Sequence, residues 1–140
     1  MNGYVLTEEE LADGITVLCL SSTTANGSFI SKWMMNPKQH ESFDNFTAVI
    51  RKIQERGPSD MIRSKKLRVI DGNLNLYEIK NFQKAQRVMA IIEGDIVLLL
   101  RYEAHKGGND NNDPKIMKRA RKAAEIAHAL LEKEREENGN

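Results

Sequence analysis

Six side chains in the second half of the sequence carry the charge and proton-transfer capacity that phosphoryl chemistry needs: Lys80, Arg87, Arg101, Tyr102, His105 and Lys106. Cleaving RNA without a metal requires a base for the 2′-hydroxyl proton, cations for the charge that builds on the phosphorus oxygens, and an acid for the leaving 5′-oxygen. Histidine can do either proton transfer because its unperturbed pKa lies near neutrality. A lysine or tyrosine can join in where neighbouring cations lower its pKa. Each candidate also has a plain structural reading: Arg101 as partner of Glu103 or Glu78 on a sheet face, Tyr102 as a half-buried core ring, His105 as an ordinary loop residue.

Other chemistries find no support in the spacing. "HKGGND" lacks the Gly-x-x-x-x-Gly-Lys pattern of a phosphate loop, and no Ser-centred elbow or nucleotide fingerprint occurs. His40, His105 and His128 lie 65 and 23 residues apart, so no i, i+4 pair sets two imidazoles on one helix face. No metal and no cofactor are expected. The single cysteine, Cys19, sits inside the apolar run "ITVLCL" and reads as a small buried hydrophobe.

The net charge is only +1, yet it is unevenly spread. Residues 1–49 hold two basic against six acidic groups, residues 50–87 ten against four, and residues 88–140 nine against ten. A basic middle on a nearly neutral chain suits a polyanionic or acidic-protein partner, with a merely solvated face as the alternative. No segment approaches the run of about 18 apolar residues that spans a membrane. The "MNGYVLTEEE" start has the wrong charge for a signal peptide, so no membrane partner and a cytoplasmic location are expected.

The elements that would position these residues follow from local pattern. "TEEELADG" resembles a capping box closed by Gly14, predicting a short helix or turn, and "ITVLCL" a buried strand at about 15–20. Helical period begins after "SSTTANGS": Asn36 and Pro37 read as N-cap and first position, Phe43, Phe46, Ile50 and Ile53 as the inward stripe, and Gly57-Pro58 as the stop. Trp33, Met34 and Met35 upstream read as core, with an exposed contact patch as the alternative. After a basic connector, "MIRSKKLR", strands are expected at 74–80, 86–92 and 95–102, the last two joined tightly through Gly94. "IVLLL" is apolar on both faces, as a central strand covered on both sides would be. Asp113 and Pro114 then cap a helix with an apolar stripe at Ile116, Ala120, Ala123, Ala127 and Leu130 and a basic first half. No internal repeat or second domain boundary interrupts residues 1–140, and a charged tail at 132–140 is expected to fray.

The ordered series "LYEIK", "QRVMAIIEGDIVLLLRYEAHKG" and "DPKIMKRARKAAEI" resembles the RelE/ParE toxin superfamily, within it the phage-derived HigB-like branch, over about residues 43–130. The first 40 residues form a divergent N-terminal region. The resemblance implies a compact α+β RelE-like domain, with a twisted antiparallel sheet of about four strands, helices packed to one side and a C-terminal helix. It implies the toxin of a type II toxin–antitoxin system: a metal-independent mRNA endoribonuclease (mRNA interferase) acting on ribosome-bound mRNA by 2′-hydroxyl attack. Its partners would be a small, helix-turn-helix antitoxin, mRNA and the ribosome, with a homo-oligomer left open.

Carried onto this sequence, the family pattern makes His105 the general base or acid, with Arg87 and Lys80 on the phosphate. Lys106 stands in the family's lysine pair. Lys80 replaces an arginine and supplies charge without the bidentate fork. Arg101, Tyr102, Lys65, Lys66, Arg68 and Lys84 are the RNA-binding candidates. Two alternatives share the fold: a non-enzymatic, ParE-like gyrase inhibitor, and a phage-encoded binding or regulatory protein.

Overall fold

The chain begins with a hairpin. Strand β1 (Tyr4–Ala12) runs antiparallel to β2 (Ile15–Ser22), with Ala12 paired to Ile15 across Asp13-Gly14. Gly14 takes φ +78°, which only a residue without Cβ adopts freely. The computed structural model describes residues 3–24, 28–80, 82, 86–104 and 113–138. The short helix or turn expected at "TEEELADG" is a strand as far as Ala12 and a turn only at Asp13-Gly14. Its side chains alternate: Thr7 meets the Ser21 hydroxyl at 2.8 Å, Glu9 accepts from Ser28 at 3.0 Å, and Leu11 is buried, while Glu8 and Glu10 face solvent. Pairing with β2 satisfies a whole backbone row, and that outweighs a local capping pattern.

Two helices and a turn follow; at the end of the first, Trp33 is buried as expected, but Met34 is only half-buried and Met35 faces solvent, where the helix ends. Helix α1 (Phe29–Met34) precedes a 3-10 turn at Pro37–Gln39, where the Asn36 side chain accepts from the Lys38 N–H at 3.0 Å, and α2 (His40–Arg56) stops at Gly57, φ +81°. The basic connector is ordered. It holds α3 (Ser59–Arg63) and then β3 (Leu67–Asp71), an edge strand whose charged residues disguised it. Strands β4 (Leu76–Ile79), β5 (Gln86–Glu93) and β6 (Ile96–Ala104) match the three expected runs, and Gly94 at φ +59° opens the two-residue β5–β6 turn. Helix α4 (Pro114–Asn138) closes the chain, with Asp113 accepting from the Lys115 N–H at 2.9 Å. Its charged end stays helical to Asn138, where Arg135 reaches across to Glu93 at 3.0 Å.

The result is one α+β domain with a six-stranded sheet, ordered β1-β2-β6-β5-β4-β3. It is mixed rather than purely antiparallel, because β2 and β6 pair in parallel. The count exceeds the expected four because β1 and β3 were the two strands hidden by charge. Nor do the helices share one side. Helices α1, α2 and α3 bury Trp33, Phe43, Phe46, Ile50 and Met61 against Ile79, Val88, Ala90 and Leu99. On the opposite face α4 lays Ile116, Ala120, Ala124, Ala127 and Leu131 on Leu76, Met89, Ile91, Leu98 and Leu100. Alternate residues of β6 thus enter different cores, as the doubly apolar "IVLLL" requires. Cys19 lies in the first core with its thiol pushed up to about 12 by burial and, secondly, by Glu9.

Candidate functional site

One β-bulge decides which face each polar side chain of β6 takes. Met89 pairs with Arg101 and Ala90 with Leu99, so Leu100 is an extra residue on β6. Leu100 and Arg101 consequently both line the α4 face, and Tyr102 turns to the other, where its ring centroid lies 5.3 Å from that of Trp33. Without the extra residue strict alternation would exchange Arg101 and Tyr102. The two do not converge on a common cleft: neighbours on a strand point oppositely.

On the α4 face a row of alternating charges crosses four strands. Arg68 on β3 donates from Nε to Oε1 of Glu78 at 3.1 Å, and Arg87 on β5 approaches the same oxygen through Nη1 at 3.7 Å. Arg87 is the cross-strand neighbour of Glu103 on β6. Glu103 receives Arg101 Nε at 3.0 Å on one oxygen and Arg119 Nη2, from α4, at 3.5 Å on the other. The row forms where the apolar seam under α4 ends and the strands continue beyond it.

Burial divides this row into two halves. The Glu78 side chain is fully buried and that of Arg87 is 13% exposed, whereas Arg101 and Arg119 reach solvent. A carboxylate withdrawn from water needs close cations. Two arginines sharing one of its oxygens supply them, yet Glu78 Oε2 and Arg87 Nε have no hydrogen-bond partner among the described residues. Around the exposed half, Arg101 and Arg119 join Lys122, Tyr4, Leu20 and Ile126 in lining a pocket of about 260 Å³. Three cations and a phenol bound it, with Glu103 as the carboxylate beside them. Arginine is suited to such a place because its planar fork matches phosphate oxygens two at a time.

The remaining candidates scatter. Lys80 follows β4 and its backbone N–H donates to the Lys66 carbonyl at 2.9 Å, so the segment is pinned whatever its ammonium does. Lys66 lines a pocket on the α2–α3 side with Lys52 and Phe82, on the face away from the arginine row. Lys65 stands in the turn before β3 at φ +63°. His105, Lys106 and Lys84 lie outside the described residues. The structure thus gathers Arg68, Arg87 and Arg101 on one face and places Tyr102 and Lys66 on the other.

Sequence reasoning missed Arg119, Lys122 and Tyr4 as members of the pocket. The i, i+3 spacing of Arg119 and Lys122 already set them side by side on α4, but which strand faced them depended on a helix-to-sheet register that no local pattern encodes. Among the described residues no three His, Cys, Asp or Glu side chains cluster as a metal ion would require, and no helix is long and apolar enough to cross a membrane. No family model, no curated protein and no solved structure matches the chain.

Proposed function

We propose that the chain is an RNA-cleaving toxin of a type II toxin–antitoxin pair, a metal-independent endoribonuclease acting on mRNA at the ribosome. The observation that carries this reading is the pocket bounded by Arg101, Arg119 and Lys122 beside the Arg87–Glu78 pair. A phosphodiester seated there meets three cations. Arg87, held in place by a carboxylate it cannot leave without cost, adds a fixed positive charge behind them. The 2′-hydroxyl attacks the adjacent phosphorus, a base takes its proton and an acid returns one to the 5′-oxygen, giving a 2′,3′-cyclic phosphate and a free 5′-hydroxyl. His105 is the candidate for one or both transfers, being the residue directly after β6 ends at Ala104. Lys80 and Lys106 supply further charge. A small antitoxin would neutralise this face.

The test is cleavage of mRNA in a translating extract containing excess chelator. Wild-type protein should produce defined 5′-hydroxyl ends, and Arg101→Ala/Arg119→Ala should lose about a hundredfold or more in rate, a loss of the size seen when transition-state charge stabilisers are removed. His105→Ala should lose at least as much. Wild-type rates from these variants would reject the site, and no cleavage by the wild type would reject the activity.

A second reading has its own observation. Arg68, Arg87, Arg101 and Arg119 all contact carboxylates of the same chain. That arrangement equally suits a surface that recognises an acidic protein without chemistry, as a gyrase-directed or phage regulatory protein would. Growth arrest with DNA breaks and intact mRNA would select the gyrase-directed protein, and unimpaired growth the regulatory one.

A further inference from the structure

Residues of the first 40, together with Tyr102, form another pocket on the face opposite the arginine row, distinct from the one that Lys66 lines. Phe29, Lys32 and Trp33 of α1, Asn36 and Gln39 of the following turn, and Tyr102 of β6 line an open depression of about 340 Å³, a volume in the range of small-ligand sites. Trp33 lies at its base, 7% exposed, with its indole ring 5.0–5.7 Å from Phe46, Phe43, Tyr102 and Phe82. That ring is fixed. Its N–H has no hydrogen-bond partner among the described residues, which is costly for a buried donor. Burial holds the Tyr102 phenol above its ordinary pKa, so it stays protonated at neutral pH.

We infer that this pocket takes one unstacked nucleobase of the single-stranded RNA whose phosphates lie on the arginine face; the inference rests on the RNA-directed reading above. Three observations fit a base better than an aliphatic side chain. The walls are aromatic, and every base has a π-face to lay on them. The rim carries side-chain amides: the Gln39 oxygen accepts from Gln86 Nε2 at 2.8 Å, which leaves the Gln39 amino group to donate, and Asn36 spends its oxygen on Lys38 N–H and keeps its own amino group. The charged side chain among its lining residues is the cation Lys32, as a polyanion's backbone needs.

The pocket is also tied to the arginine face. Gln86 directly precedes Arg87 on β5, and Tyr102 directly follows Arg101 on β6. The two sites therefore lie back to back at the end of one strand pair.

Trp33 is the only tryptophan, so its emission reports on the pocket directly. Full-length protein is titrated with a hexameric single-stranded RNA and with an abasic ribose-phosphate hexamer of equal charge. The RNA should quench Trp33 saturably, and the abasic chain should bind about tenfold more weakly, about 1.4 kcal/mol, without quenching. Lys32→Glu and Asn36→Ala alter exposed residues, so the fold should persist; Lys32→Glu should weaken both chains severalfold, whereas Asn36→Ala should weaken RNA binding and leave the abasic chain unaffected. Equal affinity for the two chains, or RNA binding with unchanged emission, would overturn the base pocket while leaving the RNA reading in place. If neither chain binds, both fall. An aromatic peptide that quenches where RNA does not would reassign the pocket to a protein.

Discussion

The two faces of the sheet are covered by opposite means. On one, α1 to α3 press large rings together, with Trp33 touching four aromatic neighbours. On the other, α4 approaches through Ala120, Ala123, Ala124 and Ala127, and past the end of that seam the sheet turns to charge. Rings fill volume and fix a core by shape. A seam of alanines lets one long helix lie close to the strands, bringing Arg119 and Lys122 to the row that β3 to β6 present. The aromatic side therefore carries much of the stability, and the alanine side sets the position of the charges.

The contrast is sharpest at Phe46, fully buried among Trp33, Phe43 and Phe82. Phe46→Ala should cost about 3–5 kcal/mol by chemical denaturation, because surrounding rings cannot collapse into the space. A loss under about 1 kcal/mol would mean that the aromatic face is loosely packed and carries no more of the stability than the alanine face. On the charged side, Glu78→Leu leaves Arg87 buried without its carboxylate and should cost about 3–5 kcal/mol. The double variant Glu78→Leu/Arg87→Leu should recover most of that loss. If it instead loses as much again, the pair acts as two independent structural residues rather than as mutual compensation.

Next in size is the seam itself. Ala124 is fully buried, and Ala124→Leu would force α4 away from the strands at a cost of about 1–3 kcal/mol. Its effect on RNA cleavage should exceed what that stability loss explains, since Arg119 and Lys122 move with the helix. Unchanged cleavage by the folded variant would separate α4 from the site. A smaller effect is expected at the β1–β2 turn, where Gly14 has open space around it and only its positive φ at stake. Gly14→Ala should cost about 1–2 kcal/mol in melting experiments, from backbone strain alone.

These same features separate what could be read in the sequence from what could not. The strong periods were legible: Phe43, Phe46, Ile50 and Ile53 as a helix stripe, the three runs that became β4, β5 and β6, and the Asp113-Pro114 start of α4. Edge strands were not, because β1 and β3 each bury only part of one face and fill the rest with Glu8, Glu10, Arg68 and exposed Val69. The Asp13-Gly14 dipeptide was the available signal for a hairpin. At the site, Arg87 and Arg101 were nominated from residue type and order, and the pairing of Arg101 with Glu103 was one of the plain readings. The bulge at Leu100 was invisible, since an extra strand residue leaves no mark in composition, and it decides that Arg101 and Tyr102 serve different faces. Glu78 as a buried anchor for two arginines likewise depended on strand order, which brings β3, β4 and β5 together across 20 residues of chain.

The smallest effect concerns the far end of α4, where charge meets solvent rather than a core. Glu93 has its carboxyl pKa lowered, chiefly by the hydrogen bond from Arg135, against the raising effect of partial burial and with a further contribution from Asn75. A folded-state pKa below the unfolded one means that the unfolded chain takes up the proton first as pH falls. The pair's contribution is thus complete above the ordinary glutamate range and disappears as pH drops through the lowered value. Because Arg135 is more than half exposed, solvent and salt screen the pair, and Arg135→Ala should cost at most about 1 kcal/mol near neutrality. Denaturation of wild type and variant across the acid range should show that difference shrinking to nothing below the lowered pKa, where Glu93 is protonated in both. A difference that persists in acid would assign Arg135 to packing against the β5–β6 turn, and α4 would then be held at this end by contact rather than by charge.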